Sequence, residues 1–351
     1  MMVPEQPETV IMFGPSKSGK TNIIATLLVE PWLDELREGG DGHSVEAPSI
    51  EWASVPGADP DTARNLGAQL ARHRKAMLQA RDIDLAGTES VTEYGLNVSW
   101  RNPAPLSRKG IPATEHRTVT LVDGRGGAIG YEDPPDRNDE LYDQYDRYKR
   151  EAVRSSGLLL CISLLPDGFN VTALHNMLRE LGHVLQLQEQ AEDLRLKRIS
   201  ICFTKYEAKF VHFGVEAHRA ALDPDSFRKL LKQGNYATLL DGVMKRAQQS
   251  DAVGGDLSVA LFPVSTYGFI HPTGQANFYP WKEREGLLTR AIRPDDYDDP
   301  DRRDLKDHFP VPLSEPRAAG LWRPFNVAPA FFHAVTGRLT GPLVLDARET
   351  L

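Results

Sequence analysis

Six short apolar runs constrain the fold of this 351-residue chain more strongly than any other feature. Each run is bounded by turn residues, and most are too apolar to be half exposed, as is typical of strands buried on both faces. Helical patterns lie between most of the runs, and this alternation favours a mainly parallel sheet with helices on both sides. The predicted strands are residues 9–13, 96–100, 118–123, 157–165, 198–203 and 257–265.

One pair of strands departs from this alternation. No helical pattern separates 96–100 from 118–123, so we predict that these two strands form an antiparallel hairpin at one edge of the sheet. The expected architecture is therefore a three-layer α/β fold, with a mainly parallel sheet, one antiparallel edge strand and helices on both faces. Helices are predicted over 171–194, where apolar side chains recur on one face, and within 324–337, which closes the fold.

The spacing of these elements favours a single elaborated domain over residues 1–351. The first of two insertions contains a predicted helix over 59–84 with Asp61 as its N-cap, and the second is rich in Pro, Asp and Arg. The expected core comprises about 8–30, 92–268 and 324–338, and the insertions comprise about 31–91 and 271–323.

Composition excludes several function classes. The net charge of −8 opposes binding to nucleic acid, which requires clustered Lys and Arg. The chain shows no secretory leader and no apolar run of membrane-spanning length, so we expect a cytoplasmic protein without membrane insertion. Cys161 and Cys202 lie within apolar runs and are predicted to be buried thiols, and the histidines show no metal-ligand spacing.

The segment GPSKSGKT follows the first predicted strand and precedes a helical pattern. It matches GxxxxGK[ST], in which backbone N–H groups surround phosphate oxygens, the lysine reaches the terminal phosphates and the hydroxyl binds Mg²⁺. Lys20 is thus a candidate catalytic residue, and Thr21 a candidate metal ligand. The predicted nucleotide contacts in this segment are Gly14, Ser16, Lys17, Ser18, Gly19, Lys20, Thr21 and Asn22.

The segment TVTLVDGRGG provides the next candidate site residues. Asp123 ends an apolar strand, where a carboxylate can hold Mg²⁺ directly or through water. Asp123 to Gly126 also reads DxxG, in which the glycine N–H could contact a γ-phosphate. The order of the two motifs along the chain favours a site over a plain Asp-Gly turn.

Two further strand ends carry polar residues. In TKYE, Thr204, Lys205 and Glu207 follow an apolar strand, and a carboxylate there can accept hydrogen bonds from both N1–H and the amino group of guanine. The Lys205 stem could pack on the base. In VSTYG, Ser265 and Thr266 end the last strand, where a loop would lie against the carbonyl of the base.

Taken in chain order, these motifs resemble those of the P-loop GTPases related to Ras, Arf and the translation factors, the TRAFAC class. GPSKSGKT is similar to their first motif, DGRG to their third, TKYE to their fourth and VSTYG to their fifth, over about residues 8–268 and the closing helix. The resemblance implies a P-loop NTPase fold, binding of GTP and GDP with Mg²⁺, and slow hydrolysis that operates a switch read by a protein partner. A narrower similarity is to the double-GTPase group of bacterial regulatory and conflict-associated proteins.

The resemblance also suggests a switch threonine before the hairpin. VTEYGLNVSW is similar to an Arf pattern, which makes Thr92 the candidate for contacting Mg²⁺ and the reacting phosphate, with Thr88 as the alternative. A threonine that merely begins a strand explains the pattern equally well.

Two positions differ from the family pattern. Glu207 stands where the fourth motif has Asp, and Gly127 stands where many relatives carry the glutamine that orients the attacking water. Lys17 and Arg125 are candidate catalytic cations that could compensate, and the alternative is that both are solvated loop residues.

The charged segment 134–157 corresponds to the second switch of the resembled family and is predicted to be helical. Its tyrosines at 142, 145 and 148 could face a protein partner or pack on the parent domain. Two other function classes remain open, namely an ATPase or kinase that uses the same phosphate loop, and a scaffold that binds nucleotide without hydrolysing it.

Overall fold

The structure is a computed structural model. It describes residues 8–15, 18–27, 46–53, 91–102, 113–124, 140–164, 181–188, 196–233, 240–245, 257–270, 273–277, 279–280, 289–290 and 322–347, together with Ala68, Ala71, Arg179 and Tyr236.

Twelve strands are described. They are β1 (Glu8–Phe13), β2 (Glu46–Ala53), β3 (Thr92–Arg101), β4 (Thr114–Asp123), β5 (Gly157–Ser163), β6 (Arg198–Thr204), β7 (Ser258–Pro263), β8 (Ser265–Ile270), β9 (Tyr279–Pro280), β10 (Thr289–Arg290), β11 (Trp322–Phe325) and β12 (Leu345–Asp346).

The described helices surround these strands. They are α1 (Lys20–Thr26), α2 (Glu140–Arg154), α3 (181–188), α4 (Ala217–Ala221), α5 (Pro224–Gln233), α6 (240–245) and α7 (Val327–Thr336), with a 3₁₀ segment at Tyr206–Glu216.

An eight-stranded mixed sheet has the order β12-β7-β6-β5-β1-β4-β3-β2. The strands from β4 through β1, β5 and β6 to β7 pair in parallel, whereas β3, β2 and β12 are antiparallel to their neighbours. Two short sheets, β11-β8 and β10-β9, lie beside it. Because the five parallel strands run in one direction, their carboxyl ends meet along one edge of the sheet.

The two faces of the sheet are buried under different helices. In β1, Val10 and Met12 belong to one apolar cluster, and Ile11 and Phe13 belong to the other, as the alternation of side chains along a strand requires. The first cluster includes residues of α1 and α7, and the second includes residues of α2 to α6. The result is the expected three-layer α/β arrangement.

All six predicted strands are confirmed, and so are the closing helix and the antiparallel pairing of β3 with β4. The hairpin is not outermost, however, because β2 pairs with β3 on its far side. We did not predict β2, which lies within the expected first insertion and carries Pro48, a residue tolerated mainly in edge strands. At the other edge, β12 adds a second antiparallel strand that was also not predicted.

The remaining helix predictions are covered only in part. Residues 179 and 181–188 are helical within the predicted 171–194, with Leu181 and Leu185 buried as expected. Of the predicted helix over 59–84, Ala68 and Ala71 are described, and both are helical, while Asp61 lies outside the described residues. Among the helices described, none is both long and apolar enough to cross a membrane.

Candidate nucleotide-binding site

The GPSKSGKT segment, our predicted phosphate loop, follows β1 and leads into α1 at the carboxyl edge of the sheet. Gly19 immediately precedes the helix with φ of 87°, a conformation that glycine adopts without steric cost. Gly14 is required for another reason, because a Cβ at this position would lie 2.6 Å from the carbonyl oxygen of Cys161 in β5. The loop is therefore held close to the strand that lies beside it.

Lys20 begins α1, and its side chain turns back onto the loop. Its ammonium donates hydrogen bonds to the carbonyl oxygens of Gly14, at 2.8 Å, and of Pro15, at 3.1 Å. Burial lowers the pKa of Lys20, and the nearby carboxylate of Asp123 partly offsets this effect. A buried ammonium that is bonded to backbone carbonyl groups is well placed to exchange one of them for a phosphate oxygen.

Thr21 and Asp123 lie side by side, as expected of a magnesium site. The Thr21 hydroxyl is 3.4 Å from Oδ2 of Asp123, a carboxylate that is fully buried. A hydroxyl next to a carboxylate is the oxygen donor set that Mg²⁺ uses together with phosphate oxygens and water. The residues present thus fit this ion, although the described residues hold no cluster of three or more His, Cys, Asp or Glu side chains suited to a metal.

Thr92 is brought to the same edge by strand pairing. It is the first residue of β3 and lies directly opposite Asp123 of β4 in the register. Its hydroxyl makes a hydrogen bond to Tyr94, whose pKa is raised by burial and by Asp123. Thr92 thus lies near the predicted metal ligands, with its side chain engaged by a tyrosine.

Thr204 joins the end of β6 to the phosphate loop. Its hydroxyl lies 2.7 Å from the carbonyl oxygen of Ser18 and 3.3 Å from that of Ile162. The predicted role of Thr204 was contact with nucleotide, whereas in this structure its hydroxyl supports the loop. The hydroxyl of Ser18 is buried and has no hydrogen-bond partner among the described residues.

Glu207 is positioned by backbone bonds between the ends of β6 and β7. The N–H of Val264 donates to the carbonyl of Phe203 at 2.8 Å, and the N–H of Tyr206 donates to the carbonyl of Val264 at 3.2 Å. This register continues past both strands and places Glu207 beside Ser265. The TKYE and VSTYG segments therefore meet, as the order of the strands predicts.

The environment of Glu207 is unusual for a carboxylate. The side chain is fully buried, and neither of its oxygens has a hydrogen-bond partner of normal geometry among the described residues. Burial raises the pKa of Glu207 to about 8, an effect that the nearby Ser265 hydroxyl, backbone N–H groups and Lys205 reduce only in part. A group in this state binds well to a ligand that brings hydrogen-bond donors.

The residues around Glu207 are held in a defined arrangement. Lys205 has φ of 59°, a left-handed conformation that is uncommon outside glycine. The hydroxyl of Ser265 accepts a hydrogen bond from the N–H of Gly268 at 2.5 Å, and Thr266 is buried next to it. Both VSTYG candidates are thus buried close to Glu207.

Tyr267 was not among the predicted site residues, although VSTYG contains it. Its hydroxyl makes a hydrogen bond to the side chain of Asn22 in α1, and burial followed by the charge of Glu207 raises its pKa to about 12. Asn22, which we predicted to contact nucleotide, therefore links α1 to the residues around Glu207. An aromatic residue after a strand end carries no sequence signal that separates this role from ordinary packing.

Tyrosines of the predicted second switch pack on the parent domain. Tyr145 and Tyr148 of α2 are both buried, and the Tyr148 hydroxyl donates to the carbonyl of Met12 in β1 at 2.5 Å. Of the two alternatives, packing therefore describes these two side chains, while Tyr142 is half buried.

Several predicted site residues lie outside the described part of the chain, so their positions remain predictions. They are Ser16, Lys17, Thr88, Arg125, Gly126 and Gly127.

Comparisons with known proteins find likenesses among solved structures. No protein-family model and no curated protein matches the chain. Among solved structures, the signal recognition particle receptor SRb-GTP/SRX complex from Chaetomium thermophilum is 13% identical with a TM-score of 0.33, over 77% of this chain and 95% of that one. The S. cerevisiae Ski7 GTPase-like domain bound to GTP is 11% identical with a TM-score of 0.28, over 74% and 43%. The septin GTPase domain from Chlamydomonas reinhardtii is 16% identical with a TM-score of 0.24, over 62% and 61%.

Proposed function

We propose that this protein binds guanine nucleotides, GTP and GDP, at the carboxyl edge of its sheet. The observation that carries the proposal is Glu207, a fully buried carboxyl group whose oxygens have no hydrogen-bond partner of normal geometry among the described residues. Leaving such a group unsatisfied costs on the order of 1–3 kcal/mol when the group is neutral, and more when it is charged. A ligand with suitable donors removes that cost.

Guanine has the donors that this carboxylate requires. Its N1–H and its exocyclic amino group point in the same direction and can each donate to one carboxylate oxygen. Adenine presents an unprotonated N1 on the corresponding edge and cannot make this pair. The position of Glu207 therefore favours guanine over adenine, although its side chain is one methylene longer than the aspartate of the resembled motif.

The phosphate end of the ligand would be bound by the loop between β1 and α1. Lys20 would give up its bonds to the loop carbonyls for phosphate oxygens, and Thr21 and Asp123 would hold Mg²⁺. When bound, Mg²⁺ supplies charge neutralisation at the phosphates. Thr204, the first residue of TKYE, donates to the Ser18 carbonyl in the predicted phosphate loop. This bond supports a single site in which the base and the phosphates of one nucleotide would bind.

We further propose slow GTP hydrolysis that operates a regulatory switch. The γ-phosphate would act on Thr92, which lies opposite Asp123, and on the DGRGG loop that follows Asp123. A protein partner would recognise the difference between the GTP-bound and GDP-bound forms. Lys17 and Arg125 are candidate catalytic cations, since Gly127 cannot orient the attacking water as glutamine does.

Binding selectivity tests the central proposal. Fluorescent GTP, GDP and ATP analogues would be titrated in Mg²⁺ against the wild type, Glu207→Gln and the matched control Glu216→Gln, whose side chain is exposed on the same 3₁₀ segment. We expect guanine selectivity in the wild type and in the control, and its loss in Glu207→Gln. Tight ATP binding that ignores the Glu207 substitution would instead support an ATPase or kinase.

Turnover measurements test the hydrolysis proposal separately. Phosphate release from GTP would be measured for the wild type, Lys17→Ala and Arg125→Ala at saturating nucleotide. A catalytic cation should contribute a rate factor of roughly 10³ or more, so its removal lowers turnover without abolishing binding. Binding without turnover in the wild type would support the scaffold alternative, and unchanged rates in both variants would exclude either cation from catalysis.

A further inference from the structure

A polar cavity of about 540 Å³ lies at the opposite end of the sheet from the phosphate loop. It forms where three parallel strands begin, and its walls include the first residues of β1, β6 and β7, which are Glu8, Arg198 and Ser258. The end of α7, at Thr336 and Gly337, closes another side. The volume falls within the range of small-molecule sites, and nothing in the proposed nucleotide site uses these residues.

Arg198 is the most deeply buried charge in this cavity wall. The residue is only 8% exposed, and its guanidinium forms an ion pair with Glu8 at 3.2 Å. Its Nε, however, has no hydrogen-bond partner among the described residues. A buried guanidinium N–H without an acceptor is a site for an acceptor from outside, because leaving it unsatisfied is costly.

The charges around Arg198 leave room for an anion. The described lining includes three cations, Arg117, Lys197 and Arg198, against the two acids Glu8 and Asp346. Glu8 is shared, since it also pairs with Arg117 at 2.7 Å.

The carbonyl groups at the end of α7 do not cancel the excess of positive charge in the cavity lining. Arg117 donates to the carbonyl of Val335 at 2.8 Å, which satisfies one of the terminal carbonyl groups that would otherwise attract a cation. Lys197 is exposed at the cavity and forms no ion pair with any residue that the structure describes. Its ammonium is therefore available to a ligand.

Ser258 connects the cavity to the interior. Its hydroxyl lies 3.1 Å from Nε2 of His333, whose Nδ1 lies 2.8 Å from the hydroxyl of Ser200. His333 is fully buried and is therefore a spectroscopic reporter that touches the cavity through one side chain.

We propose that this cavity binds a small organic anion, with a carboxylate or phosphate group held by the Arg198 guanidinium and the Lys197 ammonium. The cavity is separate from the proposed nucleotide site and lies at the opposite end of the parallel strands. Charge-assisted hydrogen bonds from Arg and Lys are the usual way in which proteins hold such groups.

The test uses inorganic phosphate and citrate as probes in the full chain carrying Lys20→Ala, which disables anion binding at the phosphate loop. Thermal unfolding would be followed against probe concentration at matched ionic strength, and the ¹⁵N resonances of the His333 ring would be recorded in parallel. Added substitutions would be Lys197→Ala and the control Lys232→Ala on α5, which is exposed and distant in sequence from the cavity lining.

We expect at least one probe to give saturable stabilisation and to shift the His333 resonances, with the tighter probe identifying the preferred anionic group. Lys197→Ala should weaken binding about tenfold, since it removes a charge-assisted contact, and Lys232→Ala should not change it. Phosphate and citrate also stabilise folded proteins in general. That nonspecific effect would be equal in Lys197→Ala and Lys232→Ala and would not shift the His333 resonances. Equal stabilisation of both variants, or saturation without a change at His333, would overturn the proposal.

Discussion

The raised pKa of Glu207 makes guanine-nucleotide binding dependent on pH. In the nucleotide-free protein the carboxyl group has a pKa of about 8, so it is mostly protonated at neutral pH. Guanine donates two hydrogen bonds and thus requires the ionised form. Binding must therefore release a proton, and affinity should rise with pH until the carboxyl group is ionised before the ligand arrives.

The magnitude follows from proton linkage. With a free-protein pKa of about 8 and a bound carboxylate that stays ionised, affinity should increase about 50-fold between about pH 6 and about pH 8. The stability of the nucleotide-free protein should change in the opposite sense. Between the ordinary pKa of 4.5 and about 8, the folded state keeps a proton that the unfolded chain has released, so stability falls as pH rises, by on the order of 5 kcal/mol in total.

The assay is a GDP titration by calorimetry at several pH values in buffers of different ionisation enthalpy, which reports proton release directly. Glu207→Gln is the informative variant, because it keeps the shape of the side chain and removes its titration. The phosphates of the ligand also titrate, but they do so equally in the wild type and the variant. The difference between the two pH profiles therefore isolates Glu207, and Glu216→Gln should reproduce the wild-type profile.

Parallel pH profiles for the wild type and Glu207→Gln would refute this reasoning. They would mean that the carboxylate does not contact the base, or that it is already ionised without ligand. The stability measurement separates these cases, because a pH-dependent loss of stability confined to the wild type would show that the pKa is raised even if guanine does not bind there.

Three further substitutions have defined outcomes. Thr204→Val removes the hydroxyl that lies 2.7 Å from the Ser18 carbonyl, so we expect a stability loss of about 1 kcal/mol and weaker nucleotide binding, whereas Thr204→Ser should restore both in urea unfolding and titration. Tyr148→Phe removes the donor to the buried Met12 carbonyl and should cost about 1–3 kcal/mol in urea unfolding, with retained stability contradicting the bond. Burial lowers the pKa of His333 to about 3 from 6.5, so the folded protein should lose stability as pH falls from 6.5 towards 3, and a His333→Gln variant that kept this pH dependence would assign it to other groups.

Much of the candidate site could be predicted because local sequence determines strand ends. Apolar runs define the buried strands, and polar residues that directly follow parallel strands must collect at one edge of the sheet. Asp123, Thr204 and Glu207 were identified in this way, and the structure places them at that edge. Strand β2 escaped prediction because its pattern, with Pro48, lacks the apolar continuity of the central strands.

Other features depend on which segments the fold brings together. The spacing of the tyrosines in α2 does not show whether they face solvent or the sheet. A helix with mixed aromatic and polar residues is compatible with either position. The contact between Tyr267 and Asn22 and the network around His333 each join residues far apart in the chain. No local pattern specifies such pairs, because they arise only from the register of the sheet and the docking of helices onto it.

The sequence by itself determined the six strands marked by apolar runs, the closing helix, the predicted phosphate loop and the identity of the residues at the strand ends. These follow from hydrophobic period, from glycine placement and from the chemistry of side chains at turns. Only the tertiary structure decided that Glu207 is buried without a partner of normal geometry among the described residues, that the Thr204 hydroxyl supports the loop, and that Arg198 lines a polar cavity. The physical reason is that burial and hydrogen-bond satisfaction are properties of all the groups surrounding a side chain, most of which are distant in sequence.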